Sequence, residues 1–226
     1  MLRAVIFDFD GVITDSEILH FRSFNQVLAK HNFEITLKDY YRDYLGLTDL
    51  DLFDLLVEKK LLNIDPGEIA DLAEQKTRVF EKLAQTNGKI IEGVRQFLGL
   101  LSKNNIPMAI CSGALLAEIE LTLEQAQLRS FFELIVSAEH VHRGKPHPEG
   151  FLLTLEKLNK KNNSDIKANQ CIVIEDSHWG LQAAQSAKMH TIAVTNSYDA
   201  DQLAMAQMTV AGLGQLTIDD LQKLCD

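Results

Sequence analysis

The chain has 226 residues, enough for one large domain or for a domain that carries a smaller insertion. With 46% hydrophobic and 24% charged residues it has the composition of a globular protein and not of a disordered or membrane chain. A formal net charge of -10 without any run of Lys and Arg excludes nucleic acid and membrane surfaces as partners, and it obliges any phosphate site to supply its own local positive charge.

The apolar run Ala4–Phe7 predicts a strand buried on both faces and is too short for a signal-peptide core. Asp8 and Asp10 follow it directly, in a context where a carboxylate is costly to bury unpaired. Strand ends of this kind bind ligands in open α/β sheets, and Gly11 permits a sharp turn and a close backbone approach. Taken alone, D-x-D-G is also compatible with a purely structural turn. Residues 16–87 contain no convincing strand and read as helices throughout, including 16–32, 50–62 and 66–85. In the last of these, Ile69, Leu72, Ala73, Val79, Phe80 and Leu83 make an apolar stripe at helical spacing, started by Pro66. Lys76 falls inside the stripe. It is expected to snorkel to water or, alternatively, to point across a cleft toward an anion.

A second strand is expected over 107–111, followed by Ser112 and Gly113 and a helical segment over 114–127. That arrangement would put a hydroxyl and two amides at a helix N-terminus, an anion site, unless it is an ordinary strand-to-helix turn. A weaker strand at 132–137 leads to Lys145, which sits in the Pro-rich loop HRGKPHPEGF and reads alone as a solvated lysine. His142 and His147 read as loop residues. A helix over 148–160 runs into the polar stretch 157–170, a helix end plus surface loop. The strand 171–175 then ends in the second acidic pair, Glu175 and Asp176. Two strands ending in paired acids suggest one metal site, and hard oxygen ligands suit magnesium. The alternative is that Asp176 or Ser177 only caps the following helix, 179–188. A strand at 190–195 completes an alternation of strands and helices that argues for a doubly wound α/β fold with a parallel sheet. Cys111, Cys171 and Cys225 are an odd number without the short paired spacing of a zinc or disulfide framework, which fits a reducing cytoplasm. No stretch approaches the roughly 20 apolar residues of a membrane span.

Four motifs in this order, DFDGVITDS, CSGA around Ser112, GKPHPEGF around Lys145 and EDSHWGLQAAQSAKM, resemble the haloacid dehalogenase superfamily. The likeness is to its phosphatases and phosphomutases with a helical cap, of the β-phosphoglucomutase-like and phosphoglycolate phosphatase-like group, and it covers nearly the whole chain. It implies a Rossmann-like catalytic core at 1–15 and 88–226 and an all-α cap at 16–87. It further implies that Asp8 is a nucleophile forming an aspartyl phosphate and that Asp10 is a general acid and base. Asp8, the Asp10 carbonyl, Asp176 and Glu175, the last directly or through water, would hold Mg2+, while Ser112, Gly113 and Lys145 would hold phosphoryl oxygens. The cap would close about hinges at 15–17 and 86–90, eased by Gly88.

Asp10 separates the chain from dehalogenases, which lack the second aspartate. Within phosphate chemistry the rival to a phosphatase of a small phosphorylated metabolite is a sugar phosphomutase, whose cap must hold a second phosphate. The cap loop that is basic in β-phosphoglucomutase reads LGLTD here, and Asp49 would repel that phosphate. Lys76 and His20 match cap positions of the mutase and are kept as substrate-binding candidates. His178 and Trp179 either shape the site entrance or, respectively, lie solvated and pack between helix and sheet; Cys111 reads as a core residue. A catalytically silent phosphate-binding module is the remaining alternative, and a cytoplasmic monomer is expected, with a weak homodimer as the other possibility.

Overall fold

The first apolar run forms strand β1 (Ala4–Phe7), all four of whose residues are buried. The computed structural model describes residues 1–15, 17–45, 47–87 and 90–225. The chain divides into two compact units, one of Met1–Asp15 with Lys89–Asp226 and the other of Ser16–Gly88. The hinge glycine expected at 88 lies outside the described residues, as does Gly46 of the LGLTD loop.

The second unit is helical among its described residues. It comprises α1 (Glu17–Leu28), the single turn α2 (Leu37–Asp39), a π-helical turn over Tyr40–Tyr44, α3 (Asp49–Glu58) and α4 (Ile69–Asn87). Thr48 caps α3 by accepting from the Asp51 amide at 3.2 Å, so Asp49 is a helical residue and not a loop residue. Pro66 does start a helix: a capping box between Asp65 and Glu68 encloses a short turn that continues into α4. Phe24, Val27, Leu52, Phe53 and Leu72 meet in a core of their own.

Lys76 corrects the expectation made for it. Its side chain is 1% exposed and neither snorkels nor remains uncommitted. Its Nζ donates to Asp49 Oδ1 at 2.7 Å, stands 2.6 Å from His20 Nδ1, and lies over the rings of Phe24 and Phe80. The apolar stripe around it therefore buries a cation that is answered by a carboxylate. Asp49 in turn is a paired charge.

The first unit is built on one parallel sheet. Among the described residues its six strands are β1, β2 (Met108–Cys111), β3 (Leu134–Val136), β4 (Cys171–Glu175), β5 (His190–Val194) and β6 (Met208–Val210), ordered β3-β2-β1-β4-β5-β6. Every pair is parallel. Side chains alternate between two cores, as a strand period of two requires. Val5, Phe7, Ile110 and Ile174 face α5 (Val94–Lys103), α6 (Leu116–Gln125) and α9 (Ile218–Leu224). Ile6, Ala109 and Val173 face α7 (Glu149–Asn162) and α8 (His178–Ser186). Helices on both faces make the sheet doubly wound, and both faces being buried explains why the strand runs are continuously apolar. Chain order reverses between β1 and β4, which makes their carboxyl ends the switch point where α/β folds bind ligands.

The elements not anticipated from the sequence are α5, α9 and β6. Val94, Phe97, Leu98 and Leu101 of α5 carry a helical stripe that was legible. β6, three partly exposed residues at the sheet edge, was not. Among the described residues no helix is long and apolar enough to cross a membrane. Phe7, which is fully buried and packs edge-on against Phe97 and Phe132, tests the core directly. Phe7→Ala is expected to lower stability by about 3 to 5 kcal/mol in urea denaturation.

Candidate functional site

Asp8 is the first residue beyond β1, and its amide donates to the Ile174 carbonyl at 2.9 Å as the last rung toward β4. The chain then turns back on itself: the Phe9 carbonyl accepts from Ile13 and Thr14, and the Gly11 amide donates to the Thr14 carbonyl at 2.8 Å. Gly11 has φ +74°, and a Cβ there would collide with the Asp176 carboxylate. Glycine is thus demanded twice, by conformation and by the approach of an acid from β4. Asp10, within this turn, is partly buried and pairs through its backbone with Thr14.

From the adjacent strand end come Glu175 and Asp176, both buried. Carboxylate oxygens of Asp8, Glu175 and Asp176 lie within 4.8 Å of one another. Lys145 Nζ donates to Asp8 Oδ1 and to Glu175 Oε1, each at 2.5 Å. Far from being a solvated loop lysine, it has an 18% exposed side chain that reaches inward over the Phe151 ring. The loop that delivers it is held by Glu149, whose Oε1 accepts from the His142 amide at 2.8 Å. Glu175 is engaged on both sides, since its Oε2 accepts from the amides of Asp176 and Ser177 and from the Ser177 hydroxyl. Gly180 makes this possible, because a Cβ at that position of α8 would overlap the Glu175 carboxylate. Ser177 also caps α8, accepting from the Gly180 amide at 3.1 Å. Capping and acidic clustering are therefore both true of this segment, carried by different residues.

Ser112 follows β2, which flanks β1 on the side away from β4. It is buried, and its hydroxyl accepts from the Ala114 amide at 3.0 Å. The helix behind it begins only at Leu116, so Ser112 and Gly113 lie in a turn ahead of α6 and not at its N-terminus. Cys111, with its thiol pushed up to about 11 chiefly by burial, is a packing residue of the sheet. His20 and Lys76 belong to the helical unit and are described there with Asp49. His20 stacks on Phe80, and burial, then Lys76, holds its imidazole well below its ordinary pKa, so it is neutral.

Electrostatically the acids are under strain that one lysine does not relieve. Burial pushes the Asp8 carboxyl up, Lys145 pulls it down, and Glu175 and Asp10 push it up again, to about 8. Asp176 is raised well above the carboxylate range by burial and then by Glu175 and Asp8. Burial works against the Lys145 ammonium, yet Asp8 and Glu175 outweigh it and raise its pKa. Among the described residues, Lys145 pairs with two of these three carboxylates, Asp8 and Glu175. An excess of buried hard oxygen donors over positive charge is what a divalent cation such as magnesium would complete.

Ser197 and Asn196 escaped the sequence reading. Ser197 donates its hydroxyl to Asp176 Oδ2, and Asn196 Nδ2 donates to the Gly11 carbonyl at 2.7 Å. Their signal was position alone, just beyond β5 on the ligand-binding edge of the sheet. Trp179, in the first turn of α8, is 47% exposed and so does not pack between helix and sheet.

Residues 5–194 match the haloacid dehalogenase-like hydrolase family. The chain is 32% identical over 162 residues to the chloroplastic 5-amino-6-(5-phospho-D-ribitylamino)uracil phosphatase of Arabidopsis thaliana, covering 72% of this chain but only 42% of that protein. It is 31% identical over 192 residues to the phosphorylated carbohydrates phosphatase of Thermotoga maritima, covering 84% of each. The crystal structure of β-phosphoglucomutase from Clostridium difficile is similar with a TM-score of 0.81 at 26% identity, over 100% of this chain and 97% of that one.

Magnesium at saturation is expected to raise the melting temperature by roughly 5 to 10 °C, the scale of a ligand at about 100 times its Kd in a domain of this size. Asp176→Asn should abolish that shift in differential scanning calorimetry; an undiminished shift would place the ion elsewhere.

Proposed function

The chain belongs to the haloacid dehalogenase-like hydrolase family and is a phosphoric monoester hydrolase, and from that premise we propose that it hydrolyses a small phosphorylated metabolite, a sugar phosphate or similar monoester, through an aspartyl phosphate on Asp8. The observation that carries this reading is the single buried constellation in which Lys145 joins Asp8 to Glu175 beside Asp176. The substrate class is that of the Thermotoga maritima relative, named for phosphorylated carbohydrates.

Asp8 attacks phosphorus, forming a new P–O bond as the ester P–O bond breaks. Asp10 gives its proton to the departing alkoxide and then takes one from the water that cleaves the aspartyl phosphate, which releases phosphate and restores both residues. Ser112, whose oxygen already accepts from Ala114, keeps its O–H to donate to a phosphoryl oxygen. Lys145 holds another phosphoryl oxygen, and Glu175 positions that lysine. Asp8, the Asp10 carbonyl and Asp176, with Glu175 directly or through water, would hold magnesium, which when bound would supply the positive charge that lets a carboxylate and a phosphate meet. Asp8 acts as nucleophile in its ionised form, which that charge would favour. The reaction is assigned to the cytoplasm, in keeping with three buried free cysteines.

A phosphomutase is the second reading, supported by the likeness to β-phosphoglucomutase and by the match of Lys76 to a cationic cap position of the mutase. Within the helical unit, however, the Lys76 charge is already compensated by Asp49 at 2.7 Å, which disfavours capture of a second phosphate there.

Asp8→Asn is expected to lower magnesium-dependent phosphate release from a generic ester by at least about 10³-fold while leaving the circular dichroism spectrum unchanged. Retained turnover would overturn the assignment. In a coupled assay primed with a hexose bisphosphate, the wild-type chain should release phosphate and form no isomer; isomerisation outpacing hydrolysis would favour the mutase instead.

A further inference from the structure

Two anchors, one the helix cap just past Asp176 and the other bonded to the Asp176 carboxylate, bring aromatic rings together on the ligand-binding edge of the sheet. Beyond β4, Ser177 caps α8 and sets His178 and Trp179 in its first turn, two and three residues past Asp176. Beyond β5, Ser197 donates to Asp176 Oδ2, and the next residue is Tyr198. The imidazole of His178 is held between the other two rings, 4.5 Å from the Trp179 centroid and 5.1 Å edge-on from that of Tyr198. Trp179 is the sole tryptophan of the chain and 47% exposed, so a ring braced from behind by His178 leaves much of its surface to solvent. An amphipathic ring of this kind, apolar in its face and polar at its edge, is suited to a partner that is itself flat and partly wet. No phosphate chemistry described above uses it.

We propose that Trp179, braced by His178 and Tyr198, is a specificity-determining platform on which the ring of the phosphate ester's leaving group stacks, so that esters of cyclic alcohols are preferred over open-chain ones. This rests on the phosphatase reading. The shared chemistry is a ring face beside the scissile phosphate, and both a carbohydrate ring and an aromatic ring offer one; base-to-aromatic stacking is tolerant of ring identity for the same reason.

The test uses glucose 6-phosphate, phenyl phosphate and open-chain glycerol 3-phosphate, with Trp179→Ala and the conservative Trp179→Phe. Trp179→Ala is expected to raise KM about 5- to 20-fold for either or both ring esters, with kcat changed less than twofold and glycerol 3-phosphate kinetics unaltered. A rise confined to one of them identifies the carbohydrate or the aromatic ring as the source. Trp179→Phe should restore most of the loss. Because the chain has one tryptophan, fluorescence of the wild-type protein excited at the red edge, where its four tyrosines do not absorb, reports this ring alone; a preferred ring ester should quench it saturably and inorganic phosphate should not. Equal KM changes for ring and open-chain esters, or no KM change and no saturable quenching, would overturn the platform. Absence of turnover with every ester would instead remove the phosphatase reading, and the quenching titration would still decide the platform.

Discussion

Three carboxylates, Asp8, Glu175 and Asp176, are held within 4.8 Å of one another and away from water, and most of the surrounding structure answers that constraint. Two unit charges at that separation repel by about 3 to 4 kcal/mol at the effective dielectric of a protein interior, before the cost of removing each from water. Lys145 binds two of the three, Ser177 and two amides bind Glu175, and Ser197 binds Asp176. Gly11 and Gly180 are glycines because a side chain at either would occupy the space of an acid. The fold holds the acids in place by setting them on adjacent parallel strands whose order reverses between them.

The same arrangement separates the tasks of residues that a motif treats as one string. In the segment from Glu175 to Gly180, Glu175 secures Lys145, Asp176 joins the acidic cluster, Ser177 caps the helix and Gly180 leaves room for Glu175. The Asp8 carboxyl is raised because Lys145 alone does not balance the acids around it, and a divalent cation bound there would lower it, whereas a phosphate anion would not.

Much of this was legible in the sequence, for physical reasons. β1, β2 and β4 are buried on both faces and therefore read as uninterrupted apolar runs, and the acids at the ends of β1 and β4 stand out because a carboxylate is costly to bury unpaired. What was not legible depends on contacts across the chain. Lys76 looked like a lysine that must reach water, because its partner Asp49 is 27 residues away and on another helix. That pairing also changes the meaning of Asp49, from a repelling charge to a compensating one. Ser197 and Asn196 carry no motif; their roles follow only from where β5 ends. β6 is too short, and too exposed, to leave a pattern.

Covalent transfer to Asp8 is the centre of the account, and it is tested most directly by finding the phosphoryl group. Protein turning over an ester in magnesium, quenched in acid within the first turnovers and digested for mass spectrometry, should carry one phosphoryl group on the peptide containing Asp8, removable by hydroxylamine as an acyl phosphate must be. Phosphate release at full rate by the wild-type chain, with that peptide unmodified both there and in Asp10→Ala, would contradict it.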